Sequence, residues 1–161
     1  MTERGEQGRR ETPDEQADRN WTDLLQELRV SQTGVQLLAA FLVSLPFQSR
    51  FAELDDFQKR WYLGVLGLAL LTVGVTLAPV AIHRRLFQGG VKPRLVRAAH
   101  VLTKVTLALI SLLLAGISVL IVDVVLDRTA AVIAGGGALL VLLVLLVVVP
   151  RLLTRGGSQR A

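Results

Sequence analysis

The chain lacks cysteine, which excludes disulfides, thiolate metal sites and cysteine nucleophiles together. It also lacks a Ser-His-Asp arrangement, an H-E-x-x-H motif and a G-x-x-x-x-G-K-[ST] loop. An enzyme would have almost nothing to build on. The absence that carries furthest is one of charge. Four stretches, Val30–Gln48, Tyr62–Ile82, Val105–Val122 and Thr129–Val149, contain no Asp, Glu, Lys, Arg or His. A proton- or sodium-coupled carrier binds and releases its ion on a titratable group near mid-membrane. None stands in these runs.

What is present follows from the same stretches, which are 19, 21, 18 and 21 residues long. A helix crosses a hydrocarbon core of about 30 Å with about 20 mostly apolar residues. Without water, its backbone groups are satisfied within the segment, so each run is expected to be a helix. The runs make up half the chain, and the rest is too short and polar to bury a soluble core. The expected fold is all-α, a four-transmembrane-helix bundle. Its spans lie at about 30–48, 62–82, 105–122 and 129–149, within a domain of residues 20–153. A disordered tail, 1–19, precedes it, and a short basic tail, 154–161, follows.

Met1–Arg29 carries eight acids and five arginines with no apolar core, which does not fit a signal peptide. Charge also sets the expected orientation. Lys and Arg number five in the N-terminal tail, six at 83–104 and three at the C-terminus, against three at 48–61 and one at 123–128. The positive-inside rule then places both termini in the cytoplasm of a cell membrane. Arginine outnumbers lysine 15 to 3, which fits a GC-rich bacterial genome. The net charge of +5 flanks membrane spans, so anionic lipid headgroups on the cytoplasmic side, not nucleic acid, are the expected partner.

Local patterns add detail. Thr22 or Asn20 is placed to cap the first helix, with Asp23 in its first turn. Leu24, Leu25 and Leu28 then alternate with charged residues, as in an amphipathic extension of that helix. Pro46 ends it. Phe51, Leu54, Phe57 and Trp61 recur at spacings of 3, 3 and 4, which predicts a short interfacial helix in the first outer loop. Small residues mark close helix approach: Gly67, Gly74 and Ala78 on the second span, Ala108, Ser111, Ala115 and Ser118 on the third, Ala130, Ala134 and Ala138 on the fourth. The Leu/Val face of 139–149 is expected to meet lipid.

The candidate functional residues are few. Arg29, Gln32 and Gln36 share a side of the first helix, which would either bond to a neighbouring helix or line a polar vestibule. Glu27 is expected to pair with a basic residue of the middle loop. His83, Arg84 and His100 sit in a basic collar at the inner surface, where the histidines could sense pH. A metal site there would need a third ligand as distant as Glu27, so no metal and no cofactor is expected. Asp123, next to Val122 and followed by Val124 and Val125, is the carboxylate nearest to entering the membrane. Two readings apply to it: a solvated helix end, or an outer cation site.

The strings LLQELRV-x-QTGVQ, at Leu24–Gln36, and PVA-x-HR, at Pro79–Arg84, resemble a family of small bacterial four-helix membrane proteins of unknown function. The resemblance covers roughly residues 20–128 and implies no established catalytic or binding residues. Some members carry the label sodium:proton antiporter, which conflicts with spans that hold no acid. The expected function is therefore a non-enzymatic interaction or scaffold module associating with itself, lipid or another membrane protein. The alternatives are a small oligomeric channel or carrier, and a pH- or envelope-stress-responsive protein acting through His83 and His100.

Overall fold

The computed structural model describes residues 12–86 and 92–152. Four helices follow in order: α1 (Pro13–Ser44), α2 (Asp56–Leu86), α3 (Lys92–Val125) and α4 (Arg128–Leu143), the last continued by a π-helical turn, Val144–Val148. Four segments are long and apolar enough to cross a membrane: Leu25–Phe47, Asp56–Ala78, Val101–Val125 and Arg128–Leu152. The all-α four-helix reading therefore holds.

Helix α1 begins earlier than expected. Thr12 caps it, its hydroxyl accepting from the Glu15 backbone N–H at 3.3 Å, while Glu15 Oε2 accepts from the Thr12 N–H at 2.9 Å. This reciprocal capping box, followed by Pro13 at the first helical position, is a local signal for a helix start. Residues 13–19 are thus helical, where the charge-mixed composition suggested disorder, and the cap is Thr12 rather than Asn20 or Thr22.

The connection to α2 also differs. Instead of one short helix it forms two 3-10 turns, Leu45–Phe47 and Ser49–Glu53, after which Leu54 is extended. Asp55 then starts α2, its carboxylate accepting from the Gln58 N–H at 2.7 Å while Gln58 Oε1 accepts from the Asp55 N–H at 3.0 Å. That cap breaks the 3-3-4 aromatic stripe: Phe57 and Trp61 belong to α2, and Phe51 does not.

The core lies among the first three helices. Val35 and Leu42 of α1, Tyr62, Val65 and Ala69 of α2, and Leu113 and Leu120 of α3 are buried together. Along α2 the buried positions continue through Thr72 and Thr76, so the spacing runs 3, 4, 3, 4. Positions recurring every 3.5 residues keep one seam facing its partners over the length of a helix. The Thr72 and Thr76 hydroxyls are accommodated by donating to their own helix, at Leu68 O and Val73 O, both 2.7 Å.

Helix α4 stands apart. It packs helix to helix against α3 alone among the described residues. Ala131 and Gly135 form its buried edge, set against Ala115 and Val119 of α3, where a Cβ on Gly135 would collide with Val119 Cγ2. The small-residue seam expected on α4 therefore exists one residue out of phase: Ala131 and Gly135 carry it, while Ala130, Ala134 and Ala138 are half-buried beside it. On α3, Ala115 is buried as expected and Ala108 is exposed. On α2, Gly67 and Gly74 face away from the chain, with nothing within 4 Å of an added Cβ. The leucines and valines from Leu139 to Val149 are exposed or half-buried, as expected of a lipid-facing surface.

Candidate functional site

The polar residues that converge do so where α2 starts, α3 ends and α4 starts. Helix α3 runs to Val125, and its span includes Lys104 and Asp123. The apolar helical segment that holds the third charge-free run, Val105–Val122, thus extends past it at both ends and has Asp123 near its end. Asp123 is only 8% exposed, which also removes the reading of a solvated helix end.

Burying a carboxylate requires a partner, and Arg128 supplies it. Its Nε donates to Asp123 Oδ1 at 3.2 Å and its Nη2 to Asp123 Oδ2 at 3.4 Å. The same Nη2 donates to Asp55 Oδ2 at 3.1 Å, and the guanidinium lies 3.7 Å over the centre of the Phe57 ring. One arginine thus joins α4 to the caps of α2 and the end of α3. Gln58 adds a long contact, Nε2 to the Asp123 carbonyl at 3.5 Å. Asp127 caps α4 by accepting from the Ala130 N–H at 2.9 Å, which fixes Arg128 at the first position of that helix.

Electrostatics follow the geometry. The Gln58 backbone N–H holds the Asp55 carboxyl below the ordinary aspartate range, and the Arg128 charge adds to the effect. Two carboxylates share one guanidinium, so the cluster is net anionic and its cation is already supplied from within. It acts as a clasp, not as a vacant cation site.

Aromatic residues extend the cluster along α2. Trp61 stacks near Phe57, with ring centres 5.8 Å apart, and donates its indole N–H across to the Gly116 carbonyl of α3 at 2.9 Å. Gly116 permits this approach, because a Cβ there would press on Val65. A groove of about 660 Å³ begins at the clasp and runs down between α2 and α4 over α3.

Among the described residues, the polar side chains predicted on α1 lie mostly on its exposed side. On α1, Glu27, Arg29 and Gln36 are exposed and Gln32 is half-buried. The buried edge of that helix is Leu28, Val35, Ala39 and Leu42. Ser31 and Thr33 donate to their own helix, at Glu27 O and Arg29 O, both 3.1 Å. His83 and Arg84 lie on α2 and His100 on α3, but their side chains fall outside the described residues, as do those of every basic residue of 83–104 except Lys104, among which the partner of Glu27 was expected. Among the described residues no three acidic or imidazole side chains meet in a metal-sized cluster.

Asp55, Gln58 and Arg128 were not among the candidate residues read from sequence, and Phe57 was read only as part of the aromatic stripe. The D-D-F-Q string at 55–58 has capping-box spacing, which would have placed the start of α2. Nothing local pairs Asp55 with Arg128.

No curated protein and no solved structure matches the chain. A family profile does match, over residues 10–150, in agreement with the resemblance of residues 20–128. With four membrane-length helices and that match along nearly its whole length, the chain belongs to a family of unknown function, DUF6328.

Proposed function

We propose that this is a non-catalytic multi-pass membrane protein that works by lateral association, first of all with a second copy of itself, with both termini in the cytoplasm. One observation carries the reading. Gly64, Gly67 and Gly74 are exposed on α2 and meet no atom of the chain within 4 Å of an added Cβ. They fall within 80° of one another around the helix at 100° per residue, about one-quarter of its circumference. Small residues on an outward face let another backbone approach closely, and in lipid such contact replaces the missing hydrophobic drive. The solitary docking of α4 supports the same reading, since it leaves most of that helix available to neighbours.

Single-molecule photobleaching in vesicles tests it. The wild type is expected to show two-step bleaching that persists on dilution in lipid, and Gly67→Leu with Gly74→Leu to shift it to single steps. A double variant that keeps the wild-type distribution at every dilution would remove the α2 face as the association surface.

A further inference from the structure

The groove between α2 and α4 has a shape that α2, α3 and α4 leave open to the surrounding membrane. Those two helices flank α3 without packing on each other. Its floor includes Ala115 and Gly116, and its walls include Gly64 and Gly136 beside apolar side chains such as Leu68 and Leu139. Every charged side chain in the lining stands at one end: Arg60, Asp123 and Arg128. The other end closes around Leu68 and Leu139.

Its length is set by helix geometry. From Arg60 to Leu68 on α2, and from Arg128 to Leu139 on α4, a rise of 1.5 Å per residue gives about 12 and about 16 Å. Half of a hydrocarbon core of about 30 Å is the same distance. The groove thus spans one leaflet, charged at the boundary and apolar toward the midplane, which is the polarity of a lipid.

The charged end is not uniform. Arg128 is held by Asp55 and Asp123. Arg60 donates its Nε to the Asp56 carbonyl at 3.1 Å, and it enters no ion pair among the described residues. An anionic group entering from the membrane boundary meets Arg60 as its cation. We propose that this groove is a binding site for one membrane phospholipid, with an acyl chain laid over Ala115 and Gly116 and the phosphate against Arg60. Gly64 borders both surfaces, but Gly67 and Gly74 lie outside the groove, so Gly67→Leu with Gly74→Leu tests self-association and Gly136→Leu tests the groove separately.

Trp61 lines the groove and reports on its contents. In a Trp21→Phe background it is the sole tryptophan, since the chain has two. Its fluorescence is measured in vesicles containing small mole fractions of phosphatidylglycerol, an anionic phospholipid, brominated on the acyl chain, or of diacylglycerol carrying the same chains. Brominated phospholipid is expected to quench Trp61 beyond its bulk share, with about a fivefold preference over diacylglycerol, the scale of one basic residue near a membrane surface. Gly136→Leu is expected to abolish the excess. Its side chain has open space, so the variant folds and fills the groove. Gly137→Leu, equally open but outside the groove, is expected to change nothing. Arg60→Gln is expected to remove the headgroup preference while chain quenching persists.

Quenching that follows the bulk fraction in the unfilled protein overturns the proposal, as does an excess that survives Gly136→Leu. A headgroup preference unchanged in Arg60→Gln overturns the role of that arginine. Quenching below the bulk share that recovers on dilution in lipid would seat a helix of another copy in the groove instead, and would equally overturn it.

Discussion

The hydroxyl of Tyr62 donates to the carbonyl of Leu42 at 3.0 Å, at the point where α1 lacks a backbone donor. In a continuing helix that carbonyl would accept from the N–H four residues on. That residue is Pro46, which has none. The Leu45 N–H bends back to the same oxygen, and the phenol of the next helix completes it. Phe51 holds the ring edge-on, with centres 5.0 Å apart. A sequence-local defect in α1 is thus repaired by tertiary structure, and the repair fixes how α2 sits against it.

Tyr62→Phe is accordingly expected to cost about 1 kcal/mol, the scale of one buried hydrogen bond. Pro46→Ala restores a backbone donor, so the phenylalanine change is expected to cost less in that background. Denaturation in mixed micelles of the four proteins of the cycle measures the coupling. Equal costs in both backgrounds would mean that Pro46 is not the reason for the bond.

The clasp makes an ordering prediction. Arg128→Gln leaves Asp123 buried without its partner, whereas Asp123→Asn with Arg128→Gln leaves no charge to strand. The single arginine variant is expected to have the lower melting temperature of the two. The reverse order would show that Arg128 acts mainly through Phe57.

Acid should open the same cluster through Asp55. Its folded carboxyl titrates below the ordinary range, while the unfolded group titrates near about 3.9. The stability it contributes is therefore complete above that unfolded value and is lost as pH falls through the lower folded value. Melting temperatures recorded from pH 7 to pH 2.5 are expected to drop in the acid limb. Asp55→Asn is expected to flatten that limb and to lower stability at neutral pH. An unchanged acid limb in the variant would assign the drop to other carboxylates.

Gly135 gives the sharpest steric test. A Cβ there meets Val119 of the facing helix, and overpacking of this kind costs about 1–3 kcal/mol. Gly135→Ala is expected to destabilise the α3–α4 contact, and Val119→Ala to restore it by removing the opposing methyl. Protease accessibility of the 126–128 turn reads the separation. Gly136→Ala, one residue on and facing open space, is expected to be silent in the same assay.

Hydropathy alone made the four spans legible, because lipid imposes length and apolarity on any helix that crosses it. The start of α1 was written in Thr12, Pro13 and Glu15. It was hidden because a capping box in a charged segment competes with the compositional sign of disorder. The phase of the α4 seam was ambiguous for a different reason. Residues 130–138 are small on nearly every face, so both 130-134-138 and 131-135 satisfy the spacing, and only the partner Val119 on α3 decides between them. Asp123 stood out from its apolar neighbours, but Asp55 lies 68 residues away and Arg128 lies 73 beyond Asp55. No local rule joins such residues. The clasp is a product of topology.

That α4 packs helix to helix on α3 alone among the described residues has a further consequence for biogenesis. The other three helices bury their shared seam without it, so they can settle while α4 is still emerging from the ribosome. The last helix then joins a finished platform by sliding two small residues onto one edge and locking a guanidinium at its tip.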